Sequence, residues 1–172
     1  MRRLVRLFQP STLRRDAHRA YVGIVRQSRQ PELYRELGIP DTPEGRFEAL
    51  CLHLFLAMHR LQHEAGEETH RLARYIMEAF VHDMDRTLRE TGIGDTGVGR
   101  RVKRAAAAMF ARIAAYRAAV SDRQAFSTLL KDYVYSGLTR DPAALAQYAY
   151  AQLHGAGAIP LATAATGVIG EL

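Results

Sequence analysis

Two histidines are the first residues in this sequence to suggest a metal site. His59 and His63 stand four residues apart, so on a helix they would share one face. Glu64 follows His63, but no histidine stands three residues after that glutamate, so the H-E-x-x-H zinc motif is incomplete. We therefore expect no metal centre and no cofactor.

Other catalytic signatures also fail on their context. Gly92 to Gly97 spells G-x-G-x-x-G, but a predicted helix precedes it, and no acidic residue occurs between Asp95 and Asp122. Gly92 is better explained as the end of one helix, and Asp95 as the cap of the next. Cys51 stands alone in an apolar segment and is typical of a small buried side chain. We expect a protein that is not an enzyme.

Helical periodicity places Asp83 near one edge of an apolar stripe, in a predicted helix over 68–91. A carboxylate at such a position is costly unless it meets an arginine or backbone N–H groups. We expect Asp83 to be structural, mostly inaccessible and paired. The alternative is a catalytic acid, although no second acid clearly joins it in that stripe.

Arginines form the strongest candidate for a binding surface. A predicted helix over 96–120 carries Arg100, Arg101, Arg104 and Arg112 opposite an apolar stripe that runs from Val102 to Val120. No acidic residue interrupts the segment from Arg100 to Val120. These arginines are therefore predicted to bind a partner, and a solvated face is the alternative.

The residues that mark the starts and ends of elements in the rest of the chain are typical of helices. Proline, glycine and capping residues predict helices over about 16–29, 31–38, 43–65, 68–91, 96–120, 121–137 and 142–155. Asp41 is the predicted cap before Pro43, and Ser121 opens a second capping box. The fold class is all-α, a single compact bundle of about six to seven helices. The predicted organisation is a basic segment 1–15, a helical domain 16–156 and a tail 157–172.

The helix predicted over 43–65 is apolar on two faces. Phe47 and Leu50 belong to the first face, and Leu52, Phe55 and Leu56 lie on the other. A central position in the bundle is the favoured interpretation. The second face is also our weaker candidate for a surface that binds an apolar client.

Composition narrows the range of partners. The net charge of +6 favours a polyanionic neighbour such as ribosomal RNA, an anionic membrane face or an acidic protein. A single cysteine suits a reducing compartment, and no secretory signal is visible in the first residues. The short leader and the excess of arginine over lysine indicate a bacterial protein that is free in the cytoplasm or peripheral at the inner membrane. The mitochondrial matrix is the alternative, because the first 15 residues lack acids.

Ordered motifs across residues 17–137 resemble the ubiquinol–cytochrome c chaperone family. They are Gln30-Pro31, Leu33-Tyr34, Gly38 to Asp41, Gly45 to Glu48, Asp83 to Glu90, Gly92 to Asp95 and Val98 to Lys103. The chain departs from the family pattern at Met109 to Arg112, and the segment after Gly137 is not diagnostic.

The resemblance implies an α-helical assembly factor for the respiratory cytochrome bc complex. It implies a protein client, newly made cytochrome b or a related membrane protein, and a small helical partner near the ribosomal exit. A ribosome- or RNA-binding module that acts through the Arg100–Arg112 face is the rival hypothesis. Peripheral contact with an anionic membrane is compatible with both.

Overall fold

Seven helices make up the part of the chain that is described. The computed structural model describes residues 10–62, 66–90 and 95–154, and within them there is no strand. The helices are α1 Pro10–Ser28, α2 Pro31–Arg35, α3 Pro43–Gln62, α4 Glu67–Glu90, α5 Asp95–Ala119, α6 Arg123–Val134 and α7 Ala143–Leu153. The prediction of an all-α helical bundle is therefore confirmed. The predicted tail 157–172 and residues 1–9 of the basic segment lie outside the described residues.

The helix boundaries follow the predicted signals, with small shifts in which residue acts as cap. Asp122, not Ser121, caps α6, and its carboxylate accepts hydrogen bonds from two backbone N–H groups at 2.9 and 3.1 Å. At the start of α3 the hydroxyl of Thr42 accepts from the Gly45 N–H at 3.1 Å. Asp41 instead pairs with Arg46 at 2.6 Å. In both cases a polar neighbour of the expected residue takes the role of cap.

The first helix begins earlier than predicted. It starts at Pro10 rather than at Asp16, so residues 10–15 of the predicted basic segment are helical. Proline suits the first turn of a helix, because the N–H that it lacks would have no partner there. No glycine or second proline follows to interrupt the helix before Asp16.

The packing divides the chain into two compact units. The described residues of unit 1 are 10–23, 61–62, 66–90 and 95–106. Its core includes fully or almost fully buried side chains from three helices: Tyr21, Leu72, Ile76, Phe80 and Val98. Each large apolar side chain in such a core contributes about 1.5–3 kcal/mol through burial.

Unit 2 comprises residues 24–60 and, of the later chain, described residues 107–154. Its core is an aromatic cluster in which the ring centroids of Phe55 and Tyr116 are 5.4 Å apart. The ring centroid of Phe126 lies 5.9 Å from that of Phe55 and 5.5 Å from that of Tyr116. In both pairs the ring planes are tilted relative to each other. Tilted pairs at these distances are favourable beyond their buried area. This cluster joins α3, α5 and α6.

Two glycines of unit 2 occupy positions where a side chain would not fit. Gly38 has a φ of 69°, in the left-handed region, and a Cβ there would also collide with the guanidinium of Arg140. A Cβ on Gly45 would overlap the carbonyl oxygen of Pro40. The turn between α2 and α3 therefore needs glycine at both positions, which lie in the motifs Gly38 to Asp41 and Gly45 to Glu48.

Candidate partner-binding surface

The amino-terminal half of α5 presents an exposed cationic face. Arg100, Arg101 and Arg104 are all exposed, as the sequence predicted, and Lys103 is exposed beside them. Val98 is fully buried in the same part of the helix, and by helical spacing Arg100 and Arg104 lie on the side away from it. We call these four exposed cations the α5 basic face.

The α5 basic face is unfavourable for the stability of the helix that carries it. Arg100 stands four residues before Arg104, and Arg101 stands three before it, so like charges are neighbours on the helix surface. Such pairs each destabilise a helix by roughly 0.2–0.5 kcal/mol at low salt. An anionic partner would remove this repulsion, which is a physical reason to treat the face as a binding surface.

Arg112 does not belong to this exposed face, so the prediction for this residue is wrong. Its guanidinium forms a bidentate ion pair with Glu48 on α3: Nε donates to Oε2 at 3.1 Å and Nη2 donates to Oε1 at 2.8 Å. It also lies 4.7 Å from the ring centroid of Tyr133. Hydrogen bonding to Glu48 raises the pKa of Arg112 above its usual value. The positive charge of Arg112 therefore neutralises Glu48 inside unit 2.

Glu48 is a structural residue that the sequence reasoning missed. It is only 7% exposed, and its carboxylate would be unstable there without the guanidinium of Arg112. The sequence did contain a signal for this role: Glu48 stands four residues before Leu52 and seven before Phe55, which places it beside an apolar stripe on the helix. The argument applied to Asp83, that an acid beside an apolar stripe needs a cation, identifies Glu48 as well.

The proposed apolar surface on α3 is part of the core. Leu52 is fully buried, and Phe55 and Leu56 are each 1% exposed. Phe55 contributes to the aromatic cluster of unit 2, and that is why this second apolar face is covered. The three side chains therefore present no surface to a client in this conformation, and the central-helix interpretation of α3 is the correct one.

Asp83 is paired as predicted, although it is less buried than we expected. It accepts a hydrogen bond from the Tyr21 hydroxyl at 2.8 Å and lies 2.7 Å from Nη2 of Arg86. Its side chain is 19% exposed and that of Arg86 is 71% exposed. The pairing anchors α1 to α4 within unit 1. An ion pair so open to water is weaker than a buried one.

His53 lies in the core rather than at a metal site. Its Nδ1 lies 2.7 Å from the carbonyl oxygen of Ala49, which can only accept, so Nδ1 carries the proton. Nε2 therefore accepts from the Tyr148 hydroxyl at 2.8 Å. Burial lowers the pKa of His53 to about 4, and the ring is neutral at pH 7. Burial also raises the pKa of the Cys51 thiol, so this cysteine is a protonated core side chain.

The glycine-rich sequence Gly92 to Gly97 spans the start of α5. Gly92 lies outside the described residues, as does the side chain of Asp95. The helix α5 begins at Asp95, one residue before the predicted start at residue 96. The assignments of Gly92 as a helix end and of Asp95 as a cap remain predictions.

Two kinds of feature are absent from the described residues: a cluster of metal ligands and a membrane-spanning helix. Within 10–62, 66–90 and 95–154, histidine, cysteine and acidic side chains form no group of three or more suited to a metal ion. No helix in these ranges combines the length and the apolar character that crossing a membrane requires.

Comparison with known proteins identifies one family. The ubiquinol-cytochrome C chaperone family profile matches residues 35–170. The fold is similar to the crystal structure of the Cbp3 homolog from Brucella abortus, with a TM-score of 0.75 and 35% sequence identity. That match covers 94% of this chain and 91% of the other. No curated protein matches the sequence at a significant level.

Proposed function

Because the chain belongs to the ubiquinol–cytochrome c chaperone family, we propose that it binds newly made cytochrome b, or a related membrane-protein client, during assembly of the cytochrome bc complex. In this proposal it acts as a binding protein and not as an enzyme. We further propose that it works in the cytoplasm or at the inner membrane surface, with a small helical partner.

The observation that carries the proposal, beside the family, is the α5 basic face. Its exposed cations repel one another, and no acidic residue follows Arg100 in the sequence before Asp122. A cluster of this kind attracts an anionic partner reversibly and from a distance, without a deep pocket. Arginine also forms bidentate hydrogen bonds with carboxylates and phosphates, which lysine does not.

Charge reversal tests whether the α5 basic face is needed. In cells, Arg100→Glu, Arg101→Glu and Arg104→Glu together should reduce crosslinking to cytochrome b by at least about tenfold, because attraction becomes repulsion. The matched control reverses three exposed arginines elsewhere: Arg26→Glu, Arg29→Glu and Arg35→Glu. It carries the same change in net charge and should retain crosslinking. Circular dichroism and thermal unfolding verify that both variants fold.

Wild-type recovery of cytochrome b by the folded α5 variant would contradict the role of this face. If neither the wild type nor the control recovers cytochrome b, the client assignment itself is contradicted.

A second function, ribosome or RNA binding through the same exposed cations, is favoured by the density of arginine on α5. Loss of ribosome recovery with cytochrome b retained, and a steep dependence of binding on salt, would support that second function.

A further inference from the structure

A second group of arginines lies in unit 1, around a single tyrosine. Tyr75 on α4 is 7% exposed, and the guanidinium carbon of Arg14 on α1 lies 4.9 Å from its ring centroid. The guanidinium carbon of Arg74 lies 5.2 Å from the same centroid. Arg71 stands one helical turn before Tyr75 on α4, so its side chain is a neighbour of Tyr75 on the helix surface. The nearby guanidinium groups, that of Arg14 first, hold the pKa of the Tyr75 hydroxyl below its usual value.

Among the described residues, few groups neutralise these three arginines. Arg74 has a long ion pair with Glu78, at 3.7 Å. Among the described residues, no carboxylate lies within 4.0 Å of the guanidinium of Arg14 or Arg71. In the part of the chain that the structure describes, three arginines are therefore close to the neutral phenol of Tyr75, and one carboxylate, that of Glu78, lies within 4.0 Å of any of them. Such a concentration of positive charge is unfavourable without an anion.

The tyrosine gives the cluster a fixed geometry. A guanidinium has five N–H donors in its own plane, and stacking on the ring face leaves those donors able to reach an acceptor. The ring face holds two of the guanidinium groups by cation–π attraction, which reduces the conformational entropy that binding would remove. Tyr75 is thus a positioning residue, and the remaining N–H groups are left for a multivalent acceptor.

From this arrangement we infer that Arg14, Arg71 and Arg74 form a binding site for a phosphate group, carried by a free phosphate compound or by the headgroup of an anionic phospholipid. A phosphate has several acceptor oxygens and carries one or two negative charges, so it can satisfy more than one guanidinium at once. The site does not depend on the proposed client, and it is formed by residues other than those of the α5 basic face.

The test uses the full chain, with sodium phosphate and pyrophosphate as probes in low salt. Binding is followed through the Nε–Hε signals of the arginines in two-dimensional nuclear magnetic resonance spectra. We expect Arg14→Gln with Arg71→Gln to weaken phosphate affinity about a hundredfold, or about tenfold for each lost charged donor. The matched control removes two exposed arginines of α1, Arg15→Gln with Arg26→Gln, and should change the affinity less than about threefold.

Vesicles distinguish the two sources of phosphate. Cosedimentation with phosphatidylglycerol-containing vesicles, but not with pure phosphatidylcholine, that is lost in the Arg14–Arg71 variant identifies a lipid headgroup. Phosphate binding without vesicle binding identifies a free compound. Tyr75→Leu provides a second variant that removes the aromatic ring but keeps an apolar side chain, and it should weaken phosphate binding severalfold because Arg14 and Arg74 lose the ring that positions them. If neither probe nor vesicle binds, or if the control loses as much affinity as the Arg14–Arg71 variant, the site does not exist.

Discussion

Replacement of Arg112 by methionine tests the ion pair inside unit 2. The substitution preserves much of the side-chain volume but leaves the carboxylate of Glu48, 9% exposed at the side chain, without its guanidinium. Removal of one partner of a buried pair costs about 3–5 kcal/mol. Because the Arg112 side chain is 26% exposed, we lower the expected loss in the free energy of unfolding to about 2–4 kcal/mol.

The assay is urea unfolding followed by circular dichroism, with Arg104→Met as the matched control. Arg104 is exposed on the same helix, so its replacement should change the free energy of unfolding by less than about 0.5 kcal/mol. Adding Glu48→Gln to Arg112→Met should recover a large part of the loss, because the unpaired charge is removed. Equal stabilities of Arg112→Met and Arg104→Met would refute the reasoning, since Glu48 would then not depend on Arg112.

Two further predictions concern His53 and Asp83. The pKa of His53 is about 4 in the folded chain and 6.5 in its ordinary state, so its neutral ring favours folding above pH 6.5 and that contribution is lost between pH 6.5 and 4. Across this interval the wild type should lose about 3 kcal/mol relative to His53→Gln in urea unfolding, and parallel curves would contradict this. Asp83→Ala should cost about 1–2 kcal/mol, less than a buried pair, because Arg86 is 71% exposed; a loss above about 3 kcal/mol would show that the pairing is stronger than its exposure implies.

Helix positions were predictable because their signals are local. Proline at the start of α3 and glycine near the ends of α2 and α6 act through the conformation of their own backbone, so the sequence alone reveals them. The choice between neighbouring polar residues as caps was less certain. Thr42 replaces Asp41 in that role because Asp41 is engaged by Arg46, a contact that local capping rules do not include.

Surface assignments depended on distant residues and were predicted less well. The periodicity of α5 correctly placed Arg100, Arg101 and Arg104 away from its buried side. It could not reveal that Arg112 meets Glu48, because that contact joins residues 64 positions apart. The Tyr75 cluster was missed for the same reason, since Arg14 belongs to a different helix from Tyr75.

Unit 2 consists of two stretches of sequence separated by a long intervening segment. The hydrogen bond between His53 and Tyr148 joins residues 95 positions apart, and that between Glu36 and Arg140 joins residues 104 apart. During synthesis α3 therefore emerges well before α5, α6 and α7, and its two apolar faces stay uncovered until those helices follow. Closure over such separations makes folding slow and leaves the nascent chain open to aggregation. A protein of a chaperone family thus has, in its own α3, a segment that needs protection while it is being made.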